Sequence, residues 1–176
     1  EGYLYVACDY HVAELCSLAQ VLIHKFGQSN MADALNAGRD LHLETAAGIL
    51  GQTYEQTVEL HKQGDKKVKR ARQMAKAMNF GLPGGLGART FVDYARDSYG
   101  VEIQLEQAQE LKDRWLASYP EMQLYFDSIS EALGFPRHFT AKQLYSGRLR
   151  GGVGYCDGCN TYFQGLTADG ARKALY

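Results

Sequence analysis

Residues 69–87, Lys-Arg-Ala-Arg-Gln-Met-Ala-Lys-Ala-Met-Asn-Phe-Gly-Leu-Pro-Gly-Gly-Leu-Gly, constrain this chain more than any other stretch. Arg72, Lys76 and Phe80 are spaced i, i+4, i+8, so on an α-helix they share one face. Eight residues rise about 12 Å, at about 1.5 Å each. That is the reach of a nucleoside triphosphate: two cations meet phosphate oxygens, and a flat ring meets a sugar or base. A basic amphipathic helix with a solvated cationic face and Phe80 in the core satisfies the same spacing. In either case the helix must stop early. Pro83 disfavours the α conformation at Leu82 and cannot donate to the helix ladder, and Gly84, Gly85 and Gly87 permit positive φ. No Gly-Lys-Ser/Thr follows these glycines, so they do not form a Walker loop.

The chain's 176 residues suffice for a domain with a real core. Its net charge of −1 gives no global basic field. Locally the charge is uneven: Lys62, Lys66, Lys67, Lys69, Arg70, Arg72 and Lys76 face the single acid Asp65 between residues 62 and 76. Such a patch is an electrostatic footprint for phosphates. The cysteines Cys8, Cys16, Cys156 and Cys159 form no secreted-type framework, and no signal peptide or membrane-length apolar run is present. A reducing, cytoplasmic setting is expected. The chain opens without Met, inside a strand pattern, and stops inside a helical one, which reads as a fragment of a longer protein.

Residues 3–8 are an apolar, aromatic run consistent with a buried strand ending at Asp9. A carboxylate there is either a helix cap or a metal ligand. A helical pattern follows through Leu15, Leu18, Val21 and Leu22. Residues 29–38 read as a short helix capped by Ser29 or Asn30 and stopped by Gly38. Asp40 is a fair N-cap for the next helix, with Glu44 in its first turn; His42 there suits a partly buried helix histidine or a phosphate ligand. Residues 54–63 make a short polar helix. Residues 88–99 continue as helix, and 104–134 as a long helical stretch broken at Tyr119-Pro120. Residues 134–154 read as a β-hairpin or irregular loop. The lone Cys156-x-x-Cys159 pair is half of a structural zinc set, whose other ligands lie far off in sequence. Asn160 and Gln164, again i and i+4, put two amides on one helix face, suited to the minor-groove edges of base pairs.

Four of these segments together resemble the family A DNA polymerases, in the family's order and over nearly the whole chain. Asp9-Tyr10-x-x-x-Glu14-Leu15 is similar to motif A, Arg72-x-x-x-Lys76-x-x-x-Phe80-Gly81 to motif B, Gly38-x-Asp40-Leu41-His42 to the start of a fingers helix, and Asn160-x-x-x-Gln164-Gly165 to the segment on the primer–template end. Gly147-Arg148-Leu149-Arg150 resembles the family's Gly-Arg-x-Arg, which leads back to the palm. The sequence departs at His11 (usually Ser), Cys16 (usually Arg) and Gly84 (commonly a Tyr that stacks at the templating base); the Pro-Gly-Gly variant resembles phage members.

The resemblance implies a mainly α fold with a few β-strands (α+β), the helical fingers plus part of a palm sheet: 1–28 palm with motif A, 29–134 fingers, 135–176 returning to the palm. It implies DNA-directed DNA synthesis, in replication or repair, by attack of a primer 3′-OH on a dNTP. Primer–template DNA and dNTPs are the expected partners, and any processivity partner is left open. Two Mg²⁺ ions are implied, held by Asp9 with the Tyr10 carbonyl and by a second carboxylate beyond this chain, so that the fragment alone is expected to be inactive. Arg72, Lys76 and His42 would bind the triphosphate, with Lys76 as general acid. Phe80 would stack on the sugar and Glu14 would exclude a 2′-OH. Arg148, Arg150, Asn160 and Gln164 would contact DNA. The alternative is a non-catalytic nucleic-acid-binding helical domain of the same ancestry.

Overall fold

The structure, a computed structural model, describes residues 2–5, 7, 9–10, 12–135 and 137–175. Its elements run α1 (Ala13–Phe26), α2 (Asn30–Asn36), α3 (Leu41–Leu50), α4 (Tyr54–Lys62), α5 (Lys66–Gly81), α6 (Ala88–Tyr99), α7 (Leu105–Ser118), α8 (Glu121–Ala132), β1 (Phe139–Lys142), β2 (Leu149–Val153) and α9 (Tyr155–Ala174). The architecture is mainly helical, with one two-stranded antiparallel sheet pairing β1 with β2.

Local chemistry sets most of the boundaries. Ser29 caps α2 by accepting from Ala32 N–H, and Asp40 caps α3 by accepting from the amides of His42 and Leu43. Thr53 and Gln56 form a reciprocal capping box on α4, and Asp65 caps α5. Helix α5 ends at Gly81 in a 3-10 turn, Leu82–Gly84, that carries Pro83 near its start, as expected of a proline that removes a ladder donor. The break between α7 and α8 falls at Tyr119-Pro120.

Leu15, Leu18, Val21 and Leu22 of α1 point into one core with Met31, Leu41, Met78, Phe91, Trp115, Met122, Tyr125 and Ile129. A smaller cluster of Ala46, Ala71 and Ala75 joins α3 to α5. Polar ties cross this core. The carboxylate of Glu121, 2% exposed, accepts from Ser29 Oγ (3.0 Å) and from the Met31 amide (3.1 Å), pinning the start of α8 to the first turn of α2.

The expected strand at 3–8 is not found among the described residues. Tyr3, Leu4, Tyr5 and Ala7 lie outside any strand, with Tyr3, Leu4 and Tyr5 almost fully exposed; Val6, Cys8 and His11 lie outside the described residues. A strand exists only where a second strand completes its ladder, and no described segment runs beside this one. The palm-sheet expectation therefore reduces, among the described residues, to the β1–β2 hairpin. No helix among them is long and apolar enough to cross a membrane.

Glu121→Ala leaves two buried donors without an acceptor, so it lowers unfolding free energy by about 2–3 kcal/mol in denaturant titration, while Glu121→Gln, which keeps an acceptor oxygen, costs less.

Candidate functional site

The close approach of α3 to α5 brings the N-terminus of α3 beside the middle of α5, and the segment leading into α1 closes the third side. These elements enclose a cleft of about 680 Å³. From the α1 side it is lined by Asp9, Tyr10 and Glu14. His42 comes from the first turn of α3, and Arg72, Lys76 and Phe80 come from successive turns of α5. Residues far apart in sequence thus share one concave surface. Another cavity, of about 440 Å³, lies among α2, α3 and α4 and holds none of these residues; its cation, Arg39, is already paired with Glu44 and Glu55.

Asp9 is not a helix cap. Helix α1 starts at Ala13, its cap position is Val12, and no side-chain cap bond is made. Val12 holds φ 45°, ψ 32°, the left-handed region, which is costly for a β-branched residue. The chain therefore turns sharply between Tyr10 and α1, with the exposed Asp9 side chain at the cleft.

Arg72 is held from within. Its Nη2 donates to Asp40 Oδ2 at 2.7 Å, and the other oxygen of the same carboxylate caps α3. Burial works to raise the Asp40 pKa, but the Arg72 guanidinium and the amides of Leu43 and His42 outweigh it and keep the carboxyl below its ordinary value. Arg72 Nε is buried and has no hydrogen-bond partner among the described residues. Lys76, one turn on, makes no ion pair among them. Phe80 packs tilted against the His42 ring, centroids 5.2 Å apart, and is partly exposed to the cleft.

His42 is 4% exposed and lies against Asn79 of α5. The Asn79 amide also joins Leu41, Thr45 and Trp115, so α3, α5 and α7 meet at one buried side chain. Sequence reasoning missed two residues that line the cleft, Tyr99 and Thr167. Tyr99 ends α6, where desolvation, contact with Tyr94 and the charge of Glu14 push its phenol pKa up; nothing in its sequence setting marks it. The Thr167 and Ser17 hydroxyls are hydrogen-bonded to each other (2.8 Å), which ties α9 to α1. It sits three residues after Gln164, on the helix face already singled out.

The expected DNA-contacting residues lie outside this cleft. Asn160 packs on the 3-10 turn after α5 and donates to the Cys156 carbonyl of its own helix. Gln164 is exposed one turn further on. Arg148 pairs with Asp169 (3.0 Å), and Arg150 with Asp157 (3.2 Å) and Thr161; both arginines clamp the hairpin to α9. Cys156 is exposed and Cys159 buried in the first turns of α9, where burial pushes the Cys159 thiol up to about 12. No group of three or more His, Cys, Asp or Glu suited to a metal ion occurs among the described residues.

A carboxyl depressed by folding adds stability above its unfolded pKa and loses it as the pH falls through the folded value. The Asp40 contribution is therefore lost below the ordinary aspartate range of about 3.9. Asp40→Asn keeps a capping oxygen and removes the charge, so a series of thermal melts from neutral to acid pH shows a shallower acid decline for this variant than for the wild type.

Comparison with known proteins identifies the family. The DNA polymerase family A model matches residues 1–150. The chain is 31% identical over 175 residues to DNA polymerase I of Aquifex aeolicus, covering 99% of this chain and 28% of that protein. It is 32% identical over 168 residues to the thermostable DNA polymerase I of Thermus aquaticus, covering 96% of this chain and 16% of that protein. With DNA polymerase I of Pseudomonas aeruginosa it shares 26% identity over 184 residues, covering 99% and 18%. The chain thus spans less than a third of the length of these relatives. With a family match over most of its residues and relatives along nearly all of it, the chain belongs to DNA polymerase family A.

Proposed function

We propose that this chain is the nucleotide-binding portion of a DNA-directed DNA polymerase, with its fingers in 29–134 and palm segments in 1–28 and 135–176. The observation that carries the reading is the convergence of Asp9, Glu14, His42, Arg72, Lys76 and Phe80 on one cleft. A structural surface has no need to collect two carboxylates, two cations, an imidazole and an aromatic face from three separate segments.

In this reading the triphosphate lies along α5. Arg72 and Lys76 meet its phosphate oxygens, and His42 donates to them from the start of α3. The Lys76 ammonium gives a proton to the departing pyrophosphate, which is general acid catalysis. Phe80 lies against the deoxyribose, and Glu14 fills the space that a 2′-OH would need. Most of the rate then comes from positioning and charge stabilisation.

Mg²⁺ fits the donor set at the cleft's edge. Asp9 and the backbone carbonyl of Tyr10 are hard oxygen donors, and this ion is commonly bound by one or two carboxylates plus substrate phosphates. When bound, Mg²⁺ neutralises charge on the attacking and leaving oxygens. Two ions require more carboxylate than Asp9 supplies, so the 176 residues on their own are expected to bind nucleotide without extending a primer. Primer–template DNA would run past the turn after α5 and the exposed side of α9, within reach of Asn160, Gln164, Arg148 and Arg150.

Primer extension by the full-length protein tests this. Wild type extends with Mg²⁺ and dNTPs, Asp9→Asn does not, and Lys76→Ala slows turnover by about 10²–10⁴-fold, the usual worth of a general acid. DNA binding with no extension by the wild type would move the chain to a non-catalytic nucleic-acid-binding role. The sugar gate has its own readout: Glu14→Ala narrows the preference for dNTPs over ribonucleotides in single-nucleotide incorporation.

A further inference from the structure

The side-chain amide of Asn79, 1% exposed, uses all of its hydrogen-bonding capacity. Its Oδ1 accepts from Trp115 Nε1–H at 2.9 Å and from Thr45 Oγ1–H at 3.1 Å. Its Nδ2 donates to the Leu41 carbonyl at 3.1 Å and meets His42 Nδ1 at 3.2 Å. An amide has two lone pairs and two protons to place, and here each has a partner.

The neighbours also decide which way round the amide lies. An indole N–H can only donate, so the Asn79 atom facing Trp115 is the oxygen. A carbonyl can only accept, so the atom facing Leu41 is the nitrogen. These anchors sit on different elements, α7 and α3, and give the same answer. Turning the amide over would set N–H against N–H at Trp115 and oxygen against oxygen at Leu41, in a site closed to water.

The remaining amide proton is then aimed at His42 Nδ1. A ring nitrogen that receives a proton donor must carry its lone pair there, so a neutral ring carries its own proton on the other nitrogen. We propose that Asn79, oriented by Trp115 and Leu41, is a positioning residue that fixes His42 as the neutral tautomer protonated on Nε2. The consequence for catalysis rests on the nucleotide reading above: His42 offers the triphosphate a directed N–H rather than a charge. Arg72 and Lys76 supply attraction at any angle, while His42 accepts only a phosphate oxygen in line with its Nε2–H. At metal sites, too, a hydrogen-bond partner on one ring nitrogen sets a histidine's tautomer.

The test is long-range ¹H–¹⁵N correlation of the 176-residue chain labelled with ¹⁵N-histidine, near neutral pH. The His42 signals are identified by their loss in His42→Gln. The expected result is a pyridine-type Nδ1 and a pyrrole-type Nε2 for His42. A pyrrole-type Nδ1, or two nitrogens averaged by exchange, overturns the proposal. Asn79→Asp, nearly isosteric but unable to donate, is expected to move the proton to Nδ1; a folded Asn79→Asp chain with an unchanged tautomer also overturns it. If that variant does not fold, the wild-type spectrum still decides. Adding dATP with Mg²⁺ separates this proposal from the nucleotide reading. A shift at His42 Nε2 supports both. An assigned tautomer with no response to dATP refutes nucleotide binding in the cleft and leaves the tautomer assignment standing.

Discussion

Helices α3 and α5 meet through alanines. Ala46, Ala71 and Ala75 form a small cluster of their own, apart from the main core. Side chains this short let two helix backbones come close, and everything at the cleft follows from that distance. The cap of α3 falls against the second turn of α5, so Asp40 reaches Arg72. The first turn of α3 falls against the last turns of α5, so His42 lies on Phe80 and beside Asn79. A leucine at any of the three alanines would force the helices apart, and overpacking of that kind costs about 1–3 kcal/mol. It would also break the register between the cations of α5 and the imidazole of α3.

Much of this was legible in the sequence because the signals are local. Asp40, Ser29 and Asp65 announce helix starts through one side-chain oxygen each, and Pro83 announces a stop. The spacing of Arg72, Lys76 and Phe80 gives one helix face without any tertiary knowledge. The strand expected at 3–8 is absent among the described residues because pairing is non-local: an apolar run states that a segment suits burial, but not which neighbour completes its ladder. Tyr99 and Thr167 were missed for a related reason. A tyrosine before a helix-ending glycine looks the same whether it faces solvent or a cleft, and only the packing of α6 and α9 against the rest decides. Asp40 was read as a cap and is also the counter-ion of Arg72. The second role depends on the alanine contact, which composition does not reveal.

Arg148 and Arg150 look alike in sequence to Arg72, yet the structure treats them differently. Their side chains are about half exposed, and their partners Asp169 and Asp157 lie on a neighbouring helix face. The exposed Arg150–Asp157 pair is of a sort worth about 0–1 kcal/mol, so that arginine is held loosely, whereas Asp169 of the Arg148 pair is 15% exposed and also accepts from Ser146. Arg72 is only a quarter exposed and its carboxylate partner also caps a helix. Removing Arg72 from Asp40 would disturb both, so in the proposed reading a nucleotide gains more by meeting Arg72 in place than by displacing it. The fixed arginine suits a ligand that must arrive at one register, and the loosely held pair suits a ligand that slides.

The turn after α5 shows the same logic in backbone. The family commonly carries a tyrosine where this chain has Gly84. Here a Cβ at position 84 would come within 2.8 Å of Asn160 Nδ2, and one at Gly85 within 2.8 Å of the Tyr155 ring. Gly85 also holds φ +80°, which side chains rarely adopt. The volume that a side chain would occupy is therefore taken by α9. Loss of the tyrosine and close docking of α9 on the turn are one feature: a ring at 84 would require Asn160 to move, and a vacant 84 lets Asn160 lie on the backbone itself. Asn160 also belongs to the face proposed to read the primer–template end, so on that proposal α9 is in direct steric contact with the turn that ends α5. On the proposed reading, a tilt of α5 as a nucleotide arrives would press the turn directly on the Asn160 side chain.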